Sequence, residues 1–254
     1  MKKVLLVFYS FVILFLLCAQ LFAGEQGSND YAFFKANEMY AQGDYEQAIA
    51  EYEKILSRGF ESGNLYFNIG NCYFKLGDLG RAILNYERAK RLIPRDGDLL
   101  SNYSFAIAET NVSSVDVKQN FFMRIVDGFS SCFSLREITF ICSGLVILFF
   151  LFLLFFVLKI GRYKLIIFCF VCVCFLFLLF ATALMSKMLL IDGEAVVVDK
   201  EEDVHFAPVK NSIVHFTAYE GMKFRVLQAK NEWTKIKRQD GKKGWIGSSS
   251  IEVI

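Results

Sequence analysis

The stretch Gly63-Asn-Leu-Tyr-Phe-Asn-Ile-Gly-Asn-Cys-Tyr-Phe-Lys-Leu-Gly-Asp-Leu-Gly-Arg-Ala-Ile-Leu-Asn-Tyr-Glu-Arg-Ala89 decides the fold. Moved back by 34 residues, it falls on a second copy of its own pattern. Ala36, Tyr40, Gly43, Asp44, Ala48, Ile49, Tyr52 and Glu53 then face Gly70, Phe74, Gly77, Asp78, Ala82, Ile83, Tyr86 and Glu87. A fixed period of this length marks helix-turn-helix units that stack to bury their apolar faces. Such stacks display long surfaces to other proteins and rarely carry out chemistry. Small Gly70 and Ala82 let the two helices of a unit approach closely, Tyr73 and Tyr86 fill the space between units, and Pro94 stops the second helix.

These residues resemble the tetratricopeptide repeat family. In the second copy Tyr66, Ile69-Gly70, Tyr73, Gly77, Ala82, Tyr86, Ala89 and Pro94 take the family's positions. The first copy keeps Ala36, Met39, Gly43, Tyr45, Ala48 and Tyr52, with Ile55 for the usual Ala and Phe60 for the Pro. Residues 98–109 read as a third first-type helix that caps the stack. Phe33, Asn37 and Tyr40 share one helix face, and Phe67, Asn71 and Phe74 repeat that face in the second copy. The resemblance implies that these six residues bind a partner, with the aromatics lining a concave groove and the Asn side chains bonding an extended peptide. Packing of the aromatics between helices is the competing reading. On the groove reading, Ala at Asn37 and Asn71 weakens partner capture and leaves the melting temperature unchanged.

Composition separates this region from the rest. The chain has 254 residues, a net charge of +2 and 28 Phe. The apolar excess sits at the N-terminus and in residues 138–185. Residues 24–110 carry 9 Lys/Arg against 13 Asp/Glu, and residues 192–254 carry 10 of each, so neither part is a basic surface for nucleic acid. Residues 1–23 read as a signal peptide: Lys2 and Lys3, a short apolar run, then Leu21-Phe22-Ala23 before a mature start at Gly24. Bulky Leu17 opposes a lipoprotein reading of Cys18, and an uncleaved anchor stays open.

Residues 138–158 and 165–185 are free of charge and about 31 Å long as helices, which matches the hydrocarbon layer of a bilayer. The loop between them, 159–164, holds Lys159, Arg162 and Lys164 and no acid, which favours the cytoplasm. A two-pass hairpin with its tip inside leaves both flanking domains on the exported side, as the signal peptide also predicts. Residues 111–137 form a linker that turns amphipathic, with Phe121, Phe122, Ile125, Val126 and Phe129 at helical spacing. Ser134-x-x-Glu137 is a capping box for the helix that follows.

Residues 192–254 change character. Runs at 195–198, 204–206, 213–217, 222–227, 233–237 and 244–246 read as six short strands, with turn signals at Asn231 and Asp240-Gly241. Glu220-Gly221, Trp233-x-Lys235-Ile236 and Asp240-Gly241-x-x-Gly244-Trp245 resemble the bacterial SH3-like domain, which implies a small barrel with Trp233 and Trp245 as ligand-groove candidates. Val204-His205-Phe206-Ala207-Pro208 departs from the family's stretch at that point, and wall-peptide binding is in question there. His205 and His215 are read as strand-surface residues rather than a metal pair, because no third ligand is evident.

The fold class expected is therefore a multidomain membrane protein: all-α helical-hairpin repeats, a two-helix transmembrane hairpin and a small all-β SH3-like barrel. No nucleophile elbow, phosphate loop or metalloprotease motif occurs, so no enzyme activity, metal or cofactor is expected. Buried packing explains Cys72 better than catalysis does, and the Cys169-x-x-Cys172-x-Cys174 cluster reads as apolar helix surface. The order of parts resembles the BatE family of the Bacteroides aerotolerance operon. That resemblance implies a two-pass scaffold of the bacterial inner membrane with both end domains periplasmic. Its implied partners are von Willebrand factor A-type membrane proteins and, indirectly, a MoxR-type ATPase, in a complex linked to stress or oxygen tolerance. The alternative is a wall-sensing module whose barrel binds peptidoglycan.

Overall fold

The computed structural model describes residues 26–110, 128–157, 163–191 and 193–254. The signal peptide, Cys18, the amphipathic positions Phe121, Phe122, Ile125 and Val126, and the basic residues Lys159 and Arg162 lie outside the described residues. The chain divides into two compact units, residues 1–61 and 62–254.

The first unit is a helical hairpin of α1 (Gln26–Gln42) and α2 (Tyr45–Ser57). Gly43, at φ +87°, makes the reversal that other residues adopt at a cost. Tyr40 and Tyr45 meet across the turn with ring centres 5.3 Å apart, and at the open end Arg58 Nη1 donates to Asn29 Oδ1 at 3.1 Å, so the helices run antiparallel. Ala36, Ala48, Ile49, Tyr52 and Ile55 are buried between them.

The second unit begins with α3 (Gly63–Lys75), α4 (Leu79–Leu92) and α5 (Gly97–Glu109). Each start has a side-chain cap: Ser62 accepts from Leu65 N, Asp78 from Arg81 N and Asp96 from Leu99 N. Gly77, at φ +78°, turns α3 into α4. A Cβ at Gly70 would lie 2.6 Å from the Tyr86 ring, which is why a small residue stands at this helix crossing. Two residues before Pro94, α4 ends.

Two long apolar helices follow, α6 (Leu135–Val157) and α7 (Tyr163–Ile191). The capping box forms: Ser134 N donates to Glu137 Oε2 at 2.8 Å, and Glu137 N donates to Ser134 Oγ at 3.2 Å. Arg95, just beyond α4, pairs with Glu137 and ties the repeat to the start of α6. Ile138 and Cys142 near the start of α6 pack with Phe180, Ala183 and Leu184 near the end of α7. The chain therefore enters and leaves this hairpin at one end.

The C-terminal part is one antiparallel sheet of β1 (Glu194–Val197), β2 (Glu201–His205), β3 (Val214–Tyr219), β4 (Lys223–Lys230), β5 (Trp233–Lys237), β6 (Lys243–Gly247) and β7 (Ile251–Val253). The strand order is β3-β2-β6-β5-β4-β1-β7. Each strand contributes to one apolar core, from Ala195, Val197, Val204, Ala218, Phe224, Ile236, Ile246 and Ile251, so the sheet is strongly coiled. It has seven strands rather than the six expected, and it does not close, because β3 and β7 are its two edges. The extra strand follows a 3-10 turn at Ser248–Ser250 and is three residues long, too short for an alternating pattern to announce it.

Helix α4 is docked on this sheet. Lys223 Nζ of β4 lies 2.9 Å from Glu87 Oε1. Arg88 Nη2 donates to Val253 O at 2.7 Å, and Arg91 Nη1 donates to Ile254 O at 2.7 Å. Arg91 also reaches Glu194 at 3.4 Å, and Arg81 reaches Glu252 at 3.6 Å. A Cβ on Gly80 would sit 2.7 Å from the Val198 backbone, so helix and strand touch main chain to main chain.

Candidate functional site

The two predicted docking faces have the same construction. In the first unit Tyr52 donates its hydroxyl to Asn37 Oδ1 at 2.5 Å, and the Phe33 ring lies 5.6 Å from the Tyr52 ring. In the second unit Tyr86 donates to Asn71 Oδ1 at 2.8 Å, and Phe67 lies 6.1 Å from Tyr86. Phe33, Asn37, Tyr40, Phe67, Asn71 and Phe74 are all half-buried. Helices α1 and α3 thus each show a face of aromatic edges and amide, with the Asn carbonyl held by a Tyr that is itself buried. Asn71 Oδ1 also accepts from Asn102 Nδ2 at 2.9 Å, which links α3 to α5.

This geometry changes one expectation. The Asn side chains are structural partners of Tyr52 and Tyr86 as well as surface groups, so replacing them alters stability too. Sequence reasoning missed the Tyr partners because the bond spans 15 residues and needs the hairpin to form. It also missed Phe105, which takes the Asn71 position one period later and is 65 % exposed.

Behind this face, in α4, the charges are engaged. Burial acts to raise the Glu87 carboxyl, but the Lys223 and Lys90 cations and the Tyr103 hydroxyl outweigh it and hold the carboxyl below its ordinary range. Burial acts to lower Lys223, and the Glu87 charge outweighs it and holds the ammonium above its ordinary range. Burial and the Glu87 charge raise the Tyr103 hydroxyl. Cys72, on α3, is fully buried, and burial pushes its thiol up to about 12. A thiol so protonated is a poor nucleophile.

On the sheet, a cleft of about 570 Å³ is lined by Glu202, His205, Lys210, Glu232, Trp233 and the turn Gly247–Ser249. Trp233 lines it, with the His205 ring set edgewise 5.4 Å away. Trp245 is only 9 % exposed and does not line it; Lys235 Nζ lies 5.6 Å from its ring. Glu202 and His205 are three apart on β2 and would face opposite sides of a regular strand. Both nevertheless line the cleft; beside them the ladder shifts register, with His215 of β3 as the extra residue opposite Val204 and His205. His205 Nδ1 lies 2.9 Å from Ser212 O, and His215 Nδ1 lies 3.0 Å from Lys243 O, so each ring is oriented by a backbone carbonyl.

No curated protein matches the chain. Residues 63–96, from the start of α3 to just past Pro94, match the family model of the tetratricopeptide repeat.

Proposed function

We propose that this protein is a non-enzymatic, membrane-anchored scaffold that binds protein partners on the periplasmic side. The carrying observation is a division of faces in the matched repeat. Its second helix, α4, is committed to the sheet through Arg81, Glu87, Arg88 and Arg91. Its first helix, α3, keeps Phe67, Asn71 and Phe74 half-exposed. Tetratricopeptide repeats bind proteins, and a face spared by the rest of the unit is available for that.

Membrane anchoring rests on α6 and α7. Their windows Leu135–Leu153 and Ile166–Met188 are long and apolar enough to cross a bilayer. Their large side chains point outward: Phe140 is 71 % exposed, and Phe168 and Phe175 are each 66 % exposed. A water-soluble core helix buries such residues; lipid covers them at no cost. Because the hairpin begins and ends at one end, the repeats and the sheet belong on one side of the bilayer. Lys159, Arg162 and Lys164 in the short connecting sequence support a cytoplasmic location for the other side.

The likeness to the BatE family extends the reading to partners of the von Willebrand factor A type, an indirect tie to a MoxR-type ATPase, and a role in aerotolerance. Capture of membrane proteins by the full chain tests it. Phe74→Glu and Phe105→Glu should abolish capture while the circular dichroism spectrum is retained. Capture that survives both changes contradicts the reading. The Trp233 cleft favours a second one, in which an SH3-like sheet binds peptidoglycan. Sedimentation of the detergent-solubilised chain with wall material tests that, and a Trp233→Ala chain that sediments equally well counts against it.

A further inference from the structure

The cleft on the sheet holds charge that no ion pair among the described residues neutralises. Glu202, Glu232 and Lys210 all line it, and none of the three is in an ion pair among the described residues. Two carboxylates against one ammonium leave the cleft negative. Asp199 and Asp203 add to that field: burial and these two neighbours hold the Glu202 carboxyl above its ordinary range. The aromatic member is Trp233, the best ring for holding a cation over its face. His205 is held at its Nδ1 by the Ser212 carbonyl, 2.9 Å away. Two carboxylates and an indole in one cleft together select a hydrogen-bonding cation.

We propose that this cleft binds the primary ammonium of a lysine-like side chain carried by a peptide. Glu202 and Glu232 supply the countercharge, and Trp233 covers the methylene stem and the cation. Lys210 suits a carboxylate or carbonyl of the same peptide. The volume of about 570 Å³ admits a side chain with its flanking peptide groups and is too large for a bare metal ion. The proposal rests on the second reading above, that the sheet binds a ligand, and it names the group bound.

Trp emission of the full chain in detergent reads the site, with Nα-acetyl-lysine amide as probe and Nα-acetyl-norleucine amide as its uncharged isostere. The lysine probe should give a saturable change with a midpoint in the millimolar range, and the norleucine probe none. Glu202→Gln with Glu232→Gln should raise that midpoint at least about tenfold, and Trp233→Phe should remove the signal. Equal responses to the two probes, no response to either, or a signal that survives Trp233→Phe overturns the proposal. Wall material retained by the double Gln variant as well as by the parent also overturns it, while leaving wall binding intact. A lysine response without wall retention does the reverse.

Discussion

Lys223 Nζ lies 2.9 Å from Glu87 Oε1, and this pair joins the fourth strand of the sheet to the second helix of the matched repeat. Glu87 also accepts from Tyr103 OH at 2.5 Å, so one carboxylate holds three elements. Removing one member of a buried pair leaves the other charge desolvated and without its partner. Glu87→Gln should therefore cost about 3 kcal/mol, and the double change Glu87→Leu, Lys223→Met should recover most of it. Thermal unfolding in detergent, followed by circular dichroism, checks both.

The same pair sets a pH window. The Glu87 carboxyl is held below its ordinary 4.5 in the fold, so its contribution is present above that value and is lost as pH falls through the depressed one. The Lys223 ammonium is held above its ordinary 10.5, so its contribution is present below that value and is lost as pH rises through the raised one. Between these limits the pair's contribution is flat. A melting-temperature profile against pH should show an acid loss that shrinks in Glu87→Gln; an unchanged acid limb speaks against the pair.

Gly80 tests the main-chain contact between helix and sheet. Ala is the better helix former by about 1 kcal/mol, so on local grounds Gly80→Ala should stabilise α4. Instead a Cβ there meets the Val198 backbone at 2.7 Å, and neither main chain can yield cheaply. Gly80→Ala should lower the melting temperature, while Gly97→Ala, where a Cβ meets nothing within 4 Å, should not. Equal effects at the two sites would remove the contact from the account.

The Asn–Tyr bond predicts graded losses. Tyr86→Phe deletes one hydrogen bond of Asn71 and should cost about 1 kcal/mol. Asn71→Ala deletes the acceptor shared by Tyr86 and Asn102 and should cost about 2 kcal/mol. Denaturant unfolding of the two variants gives the order, and a neutral Asn71→Ala would restore a purely surface role to that residue.

What the sequence revealed and concealed follows from the range of each interaction. The hairpins were legible because their signals are local: glycines at positive φ after α1 and α3, caps at Asp78 and Asp96, and the Ser134–Glu137 box. The apolar helices were legible from length and absence of charge. The docking of α4 was not, since Arg81, Arg88 and Arg91 look like any solvated helix face until β7 and Glu194 come to meet them from over 100 residues away. In the cleft, Trp233 was legible as a ligand-groove candidate. Glu202 was not, because strand alternation sets it opposite His205, and only the folded sheet shows both lining one cleft.

Site-specific photocrosslinking in intact membranes tests the scaffold most directly, with the reactive group placed at Phe74 or at Arg88 of the full chain. The account predicts adducts to other membrane proteins from position 74, and from position 88 only internal adducts to the sheet. Intermolecular adducts from position 88, with none from position 74, would contradict it.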